Sequence, residues 1–435
     1  MDISNIWLIS YVIAWVITFI IYQKKVKHFG AGSFIMVCLI IYAISSYFLY
    51  NNSYYNSLYN FKPIHLIPFV YLYLMLMLAF KPISRFEKQQ VEFIQRPSNF
   101  ALYAIIILFV LTSTIRLIYE IPNFMDGLVR IMVDPTGGAD IYNEMRADYD
   151  TKGDGLIVSL PAIISNLLGD IATLLLFYYM TLPDEKKIIT IGLFLGFIST
   201  IISFIAESQR GPVMARALTL LVTYFAMRRY IPHKRNKLIS KILIIMVVLI
   251  SIPMAAISIS RFSMRDGGGT LGSICEYSGQ ANIFFNNYAF DDNGIRYGDR
   301  TFPLFKRILG FENVPKNFVE RRAKYPRLYI NDEFFIGFVG DFCLDFGPII
   351  AFIIFLLFTL YVLNSTRIRN GTIKFHQLLL LHFVMCIFSQ GSMKLFAYSD
   401  MGNLNIIALF MAYFYFLFDY NNIQNKRRLS SKESK

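Results

Sequence analysis

Ile188-Ile-Thr-Ile-Gly-Leu-Phe-Leu-Gly-Phe-Ile-Ser-Thr-Ile-Ile-Ser-Phe-Ile-Ala206 carries no charge, and after Glu207-Ser-Gln-Arg210-Gly a second apolar run occupies 212–227. An apolar stretch of roughly 20 residues is long enough to cross the hydrocarbon core of a bilayer. Backbone inside lipid must satisfy its own hydrogen bonds, so such runs are helices. Two of them joined by a few residues read as consecutive membrane spans. Runs of the same kind lie near 6–22, 33–50, 63–80, 100–119, 155–180, 239–260, 346–363, 375–390 and 403–419. The sequence therefore predicts an all-α, polytopic integral membrane protein with about eleven transmembrane helices in one domain over 1–435. One long loop, 261–333, separates the eighth helix from the ninth.

Composition agrees. Apolar residues make up 55% of the 435 and charged residues only 16%, where a soluble domain carries about a quarter charged residues. The first run is followed by Gln23-Lys24-Lys25 without a small-residue cleavage site, so it reads as a retained helix and not a signal peptide. A net charge of +13 could suggest nucleic acid, but its placement argues against that partner. With the N-terminus outside, six segments (23–32, 81–99, 181–188, 228–241, 364–374 and 420–435) face inward and hold 23 of the 42 Lys and Arg residues. Four short outer segments (1–5, 51–62, 207–211 and 391–402) hold three. Excess Lys and Arg in short loops marks the cytoplasmic side, which puts the C-terminus, with its basic tail 420–435, inside. Residues 426–435 are expected to be disordered. Cys38, Cys275, Cys343 and Cys386 show no paired spacing for a disulfide framework or a metal site.

Two outer segments are long enough to fold. Residues 120–154 hold eight acidic residues against Arg130, Arg146 and Lys152. Ile121, Phe124, Leu128 and Met132 at helical spacing predict a short helix lying on the membrane surface, ended by Pro135-Thr-Gly-Gly. The segment 261–333 carries eleven basic and nine acidic residues. It opens with Arg261-Phe-Ser-Met-Arg265-Asp-Gly-Gly-Gly, where glycine lets backbone approach a ligand closely. Pro315 to Lys324 reads as a short basic helix, and the aromatic content (Phe284, Phe285, Tyr288, Phe290, Tyr297) argues for order.

Arginines cluster at or beyond the outer face: Arg210, Arg216, Arg261 and Arg265, with Arg321 and Arg322 farther along the loop. Arg210 sits in a very short outer turn, and Arg216 lies about one turn inside the next span, where a charge usually faces a polar cavity. Guanidinium forks hold phosphate bidentately and keep their charge, so an anionic lipid headgroup is the natural ligand. Glu207 and Arg210, three apart, alternatively form a local ion pair, and Arg321 and Arg322 suit a solvated face. Among carboxylates, Asp332-Glu333 end the long loop, and Asp341 and Asp345 follow at four-residue spacing on one helical face. The stretch from Phe334 to Leu363 is too long for one straight span and is expected to enter as a partly buried segment before crossing. A carboxylate with apolar neighbours can serve as a general base; alternatively, Asp341 or Asp345 holds the loop by pairing with an arginine. Asp170, near the middle of its span, is a functional candidate or a buried structural group. Asp148-Tyr-Asp150, His65 and His382 give weaker signals. The sequence has no phosphate-binding glycine loop, dinucleotide fingerprint or His-Glu-x-x-His motif, which argues against ATP-driven transport, redox chemistry and metalloproteolysis.

With these features the chain resembles the O-antigen polymerase (Wzy-type) family of oligosaccharide repeat-unit polymerases. Ser208-Gln-Arg210-Gly-Pro, the spacing from Arg261 to Gly272, and Glu333-Phe-Phe-Ile-Gly-Phe-Val-Gly-Asp341 through Asp345-Phe-Gly347 carry the resemblance. It implies a GT-C-like membrane glycosyltransferase of the bacterial inner membrane, with a periplasmic N-terminus and a cytoplasmic C-terminus. It implies undecaprenyl-diphosphate-linked oligosaccharide as substrate, membrane lipid and a chain-length regulator protein as partners, and no cofactor. In those terms Arg210, Arg261, Arg265 and Arg216 are expected to hold the diphosphate, and Asp341, Glu333 or Asp345 to accept the proton of the incoming sugar. An O-antigen ligase shares the donor chemistry. A transporter or flippase would want charges lining several spans at mid-membrane, and the sequence shows Asp170 and His382 as almost the only mid-span ionisable residues.

Overall fold

A computed structural model describes residues 2–89, 91–134, 137–151, 156–262, 269–330, 334–393 and 399–433, without the side chains of 132, 145–151, 156–159, 259–262, 270, 318 and 427–433. Helices make up 79% of it. In chain order they are α1 (Ile3–Val26), α2 (Ala31–Tyr50), α3 (Ser53–Tyr59), α4 (Leu66–Lys88), α5 (Asn99–Val133), α6 (Gly137–Thr151), α7 (Leu156–Tyr179) and α8 (Lys187–Ala206). There follow α9 (Arg210–Met227), α10 (His233–Phe262), α11 (Gly269–Phe284), α12 (Pro303–Ile308), α13 (Phe318–Lys324), α14 (Gly337–Ser365), α15 (Phe375–Gly391) and α16 (Ser399–Glu433). Two three-residue strands, Phe93–Gln95 and Thr372–Lys374, are the other regular elements besides a π-helical turn, Phe285–Ala289.

Every one of the eleven apolar runs is helical. Among the described residues nine helices are long and apolar enough to cross a membrane. The two that fall short are α9, diluted by Arg210 and Arg216, and α15, which has only 17 residues. The protein is an all-α, multi-pass membrane protein.

The chain divides into two compact units. One comprises Met1–Val91, Gly267–Ile373 and Leu380–Ile407; the other comprises Glu92–Asp266, Lys374–Leu379 and Ala408–Lys435. In the first, α2 packs against α1 and α11, and α4 against α14. In the second, α5 packs against α7 and α8, and α9 against α7, α8 and α10.

Three expectations change. The short surface helix expected from 121 does not form separately, because α5 runs unbroken through Pro122 to Val133 and stops at Asp134, just before Pro135. Pro122 follows 23 helical residues, and a long helix whose packing holds it on both sides absorbs one proline by losing a single backbone bond. The long loop is more helical than expected, with α11 packed along α2. The reason is a small-residue contact: a Cβ at Gly279 would lie 2.6 Å from the Ser45 carbonyl carbon, so only glycine permits this approach. Ser46 Oγ also donates to the Gly279 carbonyl at 2.9 Å and accepts from Asn282 Nδ2 at 2.9 Å. Finally, the basic tail continues α16 as helix to Glu433.

The broken entry of the ninth run is as expected. Within α14 the backbone leaves helical geometry at Gly347 (φ 75°, ψ 162°), a left-handed conformation that glycine adopts without cost, and Pro348 starts the crossing segment. The half-helix before the break is nearly all buried, and Tyr71 Oη donates to the Pro348 carbonyl at 2.5 Å.

Candidate functional site

In the second unit the α8–α9 turn sets the first arginine. Ser208 takes φ 55°, and the Ser208 and Gln209 amides bond back to the carbonyls of Ile205 and Phe204 at 2.9 and 2.8 Å, reversing the chain in three residues. Arg210 is then the first residue of α9, buried to 6% exposure, with Nη1 donating to Ser258 Oγ of α10 at 3.3 Å. Arg261 lies one turn beyond Ser258 on the same face of α10; its side chain is outside the described set. Six residues along α9, Arg216 stands about 120° around the axis from Arg210 and so faces a different neighbour. That neighbour is α7. Arg216 Nη1 pairs with Asp170 and Nη2 donates to the Asn166 carbonyl at 3.2 Å. A Cβ at Gly169 would sit 2.7 Å from both terminal guanidinium nitrogens, so glycine there lets the guanidinium lie against the α7 backbone.

A third arginine meets the same stretch of α7. Arg116 of α5, 5% exposed, donates from Nη1 to Asn166 Oδ1 at 2.8 Å and Ser165 Oγ at 3.2 Å. Its Nε lies 3.8 Å from Glu120, which accepts from Ser203 Oγ of α8 at 3.0 Å. Arg116 and Arg216 thus converge on Asn166. A charge within a span is costly unless partnered, and residues of this kind line substrate paths by default. Sequence reasoning did not single out Arg116, and its statement that mid-span charge is nearly confined to Asp170 and His382 is corrected. The signal was present: Arg116 and Glu120 stand four apart at the end of an apolar run.

The carboxylate candidates belong to the first unit, in a different setting. Asp341 and Asp345 are 1% and 0% exposed. Arg300 Nε donates to Asp341 Oδ1 at 2.7 Å. Asp345 accepts from the Arg300 amide at 3.2 Å, the Thr301 amide at 2.6 Å and the Thr301 hydroxyl. The Arg296 and Tyr297 amides close on the Leu344 and Asp345 carbonyls at 3.0 and 2.8 Å. Beside them Arg296 pairs with Asp292 at 2.9 Å, and Asp292 also accepts from the Tyr329 and Ile330 amides. Asp299 is gripped by Lys306, Lys324 and the Tyr325 hydroxyl. Burial pushes the Asp292 carboxyl up despite the Arg296 guanidinium. Burial acts likewise on Asp299, but its two lysines and tyrosine outweigh it and hold the carboxyl below the usual range. The Tyr325 phenol is raised by burial and by that carboxylate. The whole arrangement ties residues 291–301 to the half-helix of α14.

Of the remaining candidates, Arg265 and Glu333 lie outside the described residues, as do the side chains of Asp148 and Asp150. Arg321 is buried, contrary to the solvated face expected for it, while Arg322 is exposed. The backbone of His65 is held on both its amide and carbonyl by Asn286 of the π-helical turn, at 2.9 and 2.7 Å.

The sequence matches the family model of the O-antigen polysaccharide polymerase Wzy over residues 3–277. That stretch contains Arg116, Asp170, Arg210, Arg216 and Arg261 and ends before the ion pairs of 292–345. No curated protein and no solved structure matches the chain.

Proposed function

The chain belongs to the family of the O-antigen polysaccharide polymerase Wzy, and from that premise we propose that it joins undecaprenyl-diphosphate-linked oligosaccharide repeat units into O-antigen or capsular polysaccharide at the periplasmic face of the inner membrane. The growing glycan leaves its lipid diphosphate and is transferred to a sugar hydroxyl of the incoming lipid-linked unit. The diphosphate is the leaving group, so the reaction draws on no nucleotide sugar. As the anomeric C–O bond breaks, negative charge builds on the diphosphate, and guanidinium groups already in place favour the transition state over the ground state. One charge pair at ~4 Å is worth about 4 kcal/mol at an effective dielectric of 20.

The observation that carries this assignment is the convergence of Arg116 of α5 and Arg216 of α9 on Asn166 of α7. Arg210, Arg261 and Arg265 are assigned to the same donor lipid. Asp341 and Asp345 are assigned to holding the 291–301 segment, since both are buried and bonded to it. Intramembrane charge would also suit a flippase, and an O-antigen ligase would use the same donor; the family assignment favours joining repeat units.

Deletion of the gene separates the three. A polymerase deletion leaves surface lipid carrying single repeat units on a gel. Ligase or flippase deletions leave none, the flippase case trapping its intermediate in the inner leaflet. Absence of single-unit surface glycan would overturn the polymerase reading.

A further inference from the structure

A general base must lie where a substrate can touch it. Among the ion-paired carboxylates of α5 and α7, the Asp170 side chain is 39% exposed while its partner Arg216 is only 12% exposed. The pair is therefore asymmetric: the cation is embedded and the anion faces outward. Arg216 is fixed from behind by the Asn166 carbonyl and by the gap that Gly169 leaves, so its guanidinium stays put while its anionic partner can change. A phosphate is a better match than one carboxylate oxygen for a guanidinium fork. Exchanging one anion for another also avoids the large cost of leaving a buried cation unpaired.

We propose that Asp170 is the general base of glycan transfer, and that it is held idle on Arg216 until the donor's diphosphate takes its place. This rests on the polymerase reading above. Diphosphate binding moves the negative charge of Asp170 off the guanidinium and leaves the carboxylate beside the site of transfer. The acceptor hydroxyl then gives its proton to Asp170, and its oxygen forms the new bond to the anomeric carbon. The bond from that carbon to the diphosphate oxygen breaks, with its electron pair passing to the diphosphate held by Arg116 and Arg216. Asp170 returns its proton to water.

The test uses full-length protein in lipid nanodiscs, with undecaprenyl diphosphate as binding probe and lipid-linked repeat units as substrate. Asp170→Asn should bind undecaprenyl diphosphate at least as tightly as wild type, because the competing carboxylate is gone. Its joining rate should fall about 10²–10⁴-fold, the range for a lost general base, and Asp170→Glu should recover part of it. A rate above about a tenth of wild type in Asp170→Asn would overturn the assignment. So would parallel loss of binding, joining and thermal stability, which marks a purely structural partner of Arg216. Loss in Glu120→Gln with retention in Asp170→Asn would move the base to Glu120 and overturn it too. Wild-type protein supplies a second measurement that does not depend on a variant folding: undecaprenyl diphosphate should raise carbodiimide labelling of Asp170, and unchanged labelling counts against the exchange. Failure of the polymerase reading looks different, since wild type would then join no lipid-linked repeat units, whatever residue stands at 170.

Discussion

The two units each bury arginines against acidic partners, and they do so in opposite ways. In the first, Arg300, Asp341 and Asp345 are sealed to 1% exposure or less, and Asp345 is filled on both oxygens by amides and a hydroxyl. In the second, Arg116 and Arg216 share Asn166, and Asp170 remains 39% exposed. A sealed pair can only hold chain together, because any exchange of partner would strand a charge in a low dielectric. An open pair can trade its anion for a substrate's. Similar residue types thus yield a clasp in one place and a candidate site in the other, and accessibility makes the difference.

That contrast breaks most sharply at the clasp. Arg300→Ala should destabilise the protein by about 3–5 kcal/mol, the range for removing one partner of a buried ion pair. It should appear as a lower unfolding temperature in detergent and less protein in the membrane, and normal levels of both would show that the clasp is dispensable. Arg210→Ala should behave as a site variant: normal protein level, glycan ladders shortened or lost, and a rate reduced about 10²–10³-fold, as for removal of a preorganised charge-stabilising donor. Full-length ladders would remove Arg210 from the site. Asn286→Ala strips two bonds from the His65 backbone and should cost about 1–3 kcal/mol, read as earlier thermal unfolding with joining by the surviving protein unchanged. Gly169→Ala forces the Arg216 guanidinium away from α7 and should slow joining about tenfold, equivalent to ~1.4 kcal/mol, with little change in unfolding temperature.

The smallest effect is in pH. The Asp299 carboxyl lies below its ordinary value, so its contribution to stability is complete above the unfolded value of about 3.9 and fades only as pH falls through the lower folded one. The gap in unfolding temperature between wild type and Asp299→Asn should therefore stay constant from pH 8 to pH 5 and close only in stronger acid. A gap that closes by pH 5 would contradict the lowered value.

Hydropathy was enough to read the helices, because lipid admits few alternatives for a long apolar run. Length also marked Phe334 to Leu363 as too long for one straight span, although the break at Gly347 became visible only in the structure. The basic stretch Pro315 to Lys324 read as a short helix, of which Phe318–Lys324 is helical. Hydropathy could not reveal that α11 is helical and packed on α2: Ser273, Glu276 and Asn282 read as loop residues until their partners in α2 and α3 are seen. Arg116 was hidden in the hydropathy of its own run, and Arg296 and Arg300 were lost in a loop whose average charge looked solvated. Asp341 and Asp345 were legible as a helical pair, but their four-residue spacing says nothing about exposure, which separates a clasp from a base. Arg210 and Arg216 were found because each interrupts a pattern that disfavours charge.

The central claim is that the arginines meeting at Asn166 hold the donor's diphosphate. It is tested most directly by supplying lipid-diphosphate-linked repeat units to reconstituted wild-type and Arg216→Ala protein and counting undecaprenyl diphosphate released per unit added. The account predicts one released per unit joined by wild type, and a joining rate about 10²–10³ lower in a folded Arg216→Ala protein. Equal rates in the two proteins would contradict it.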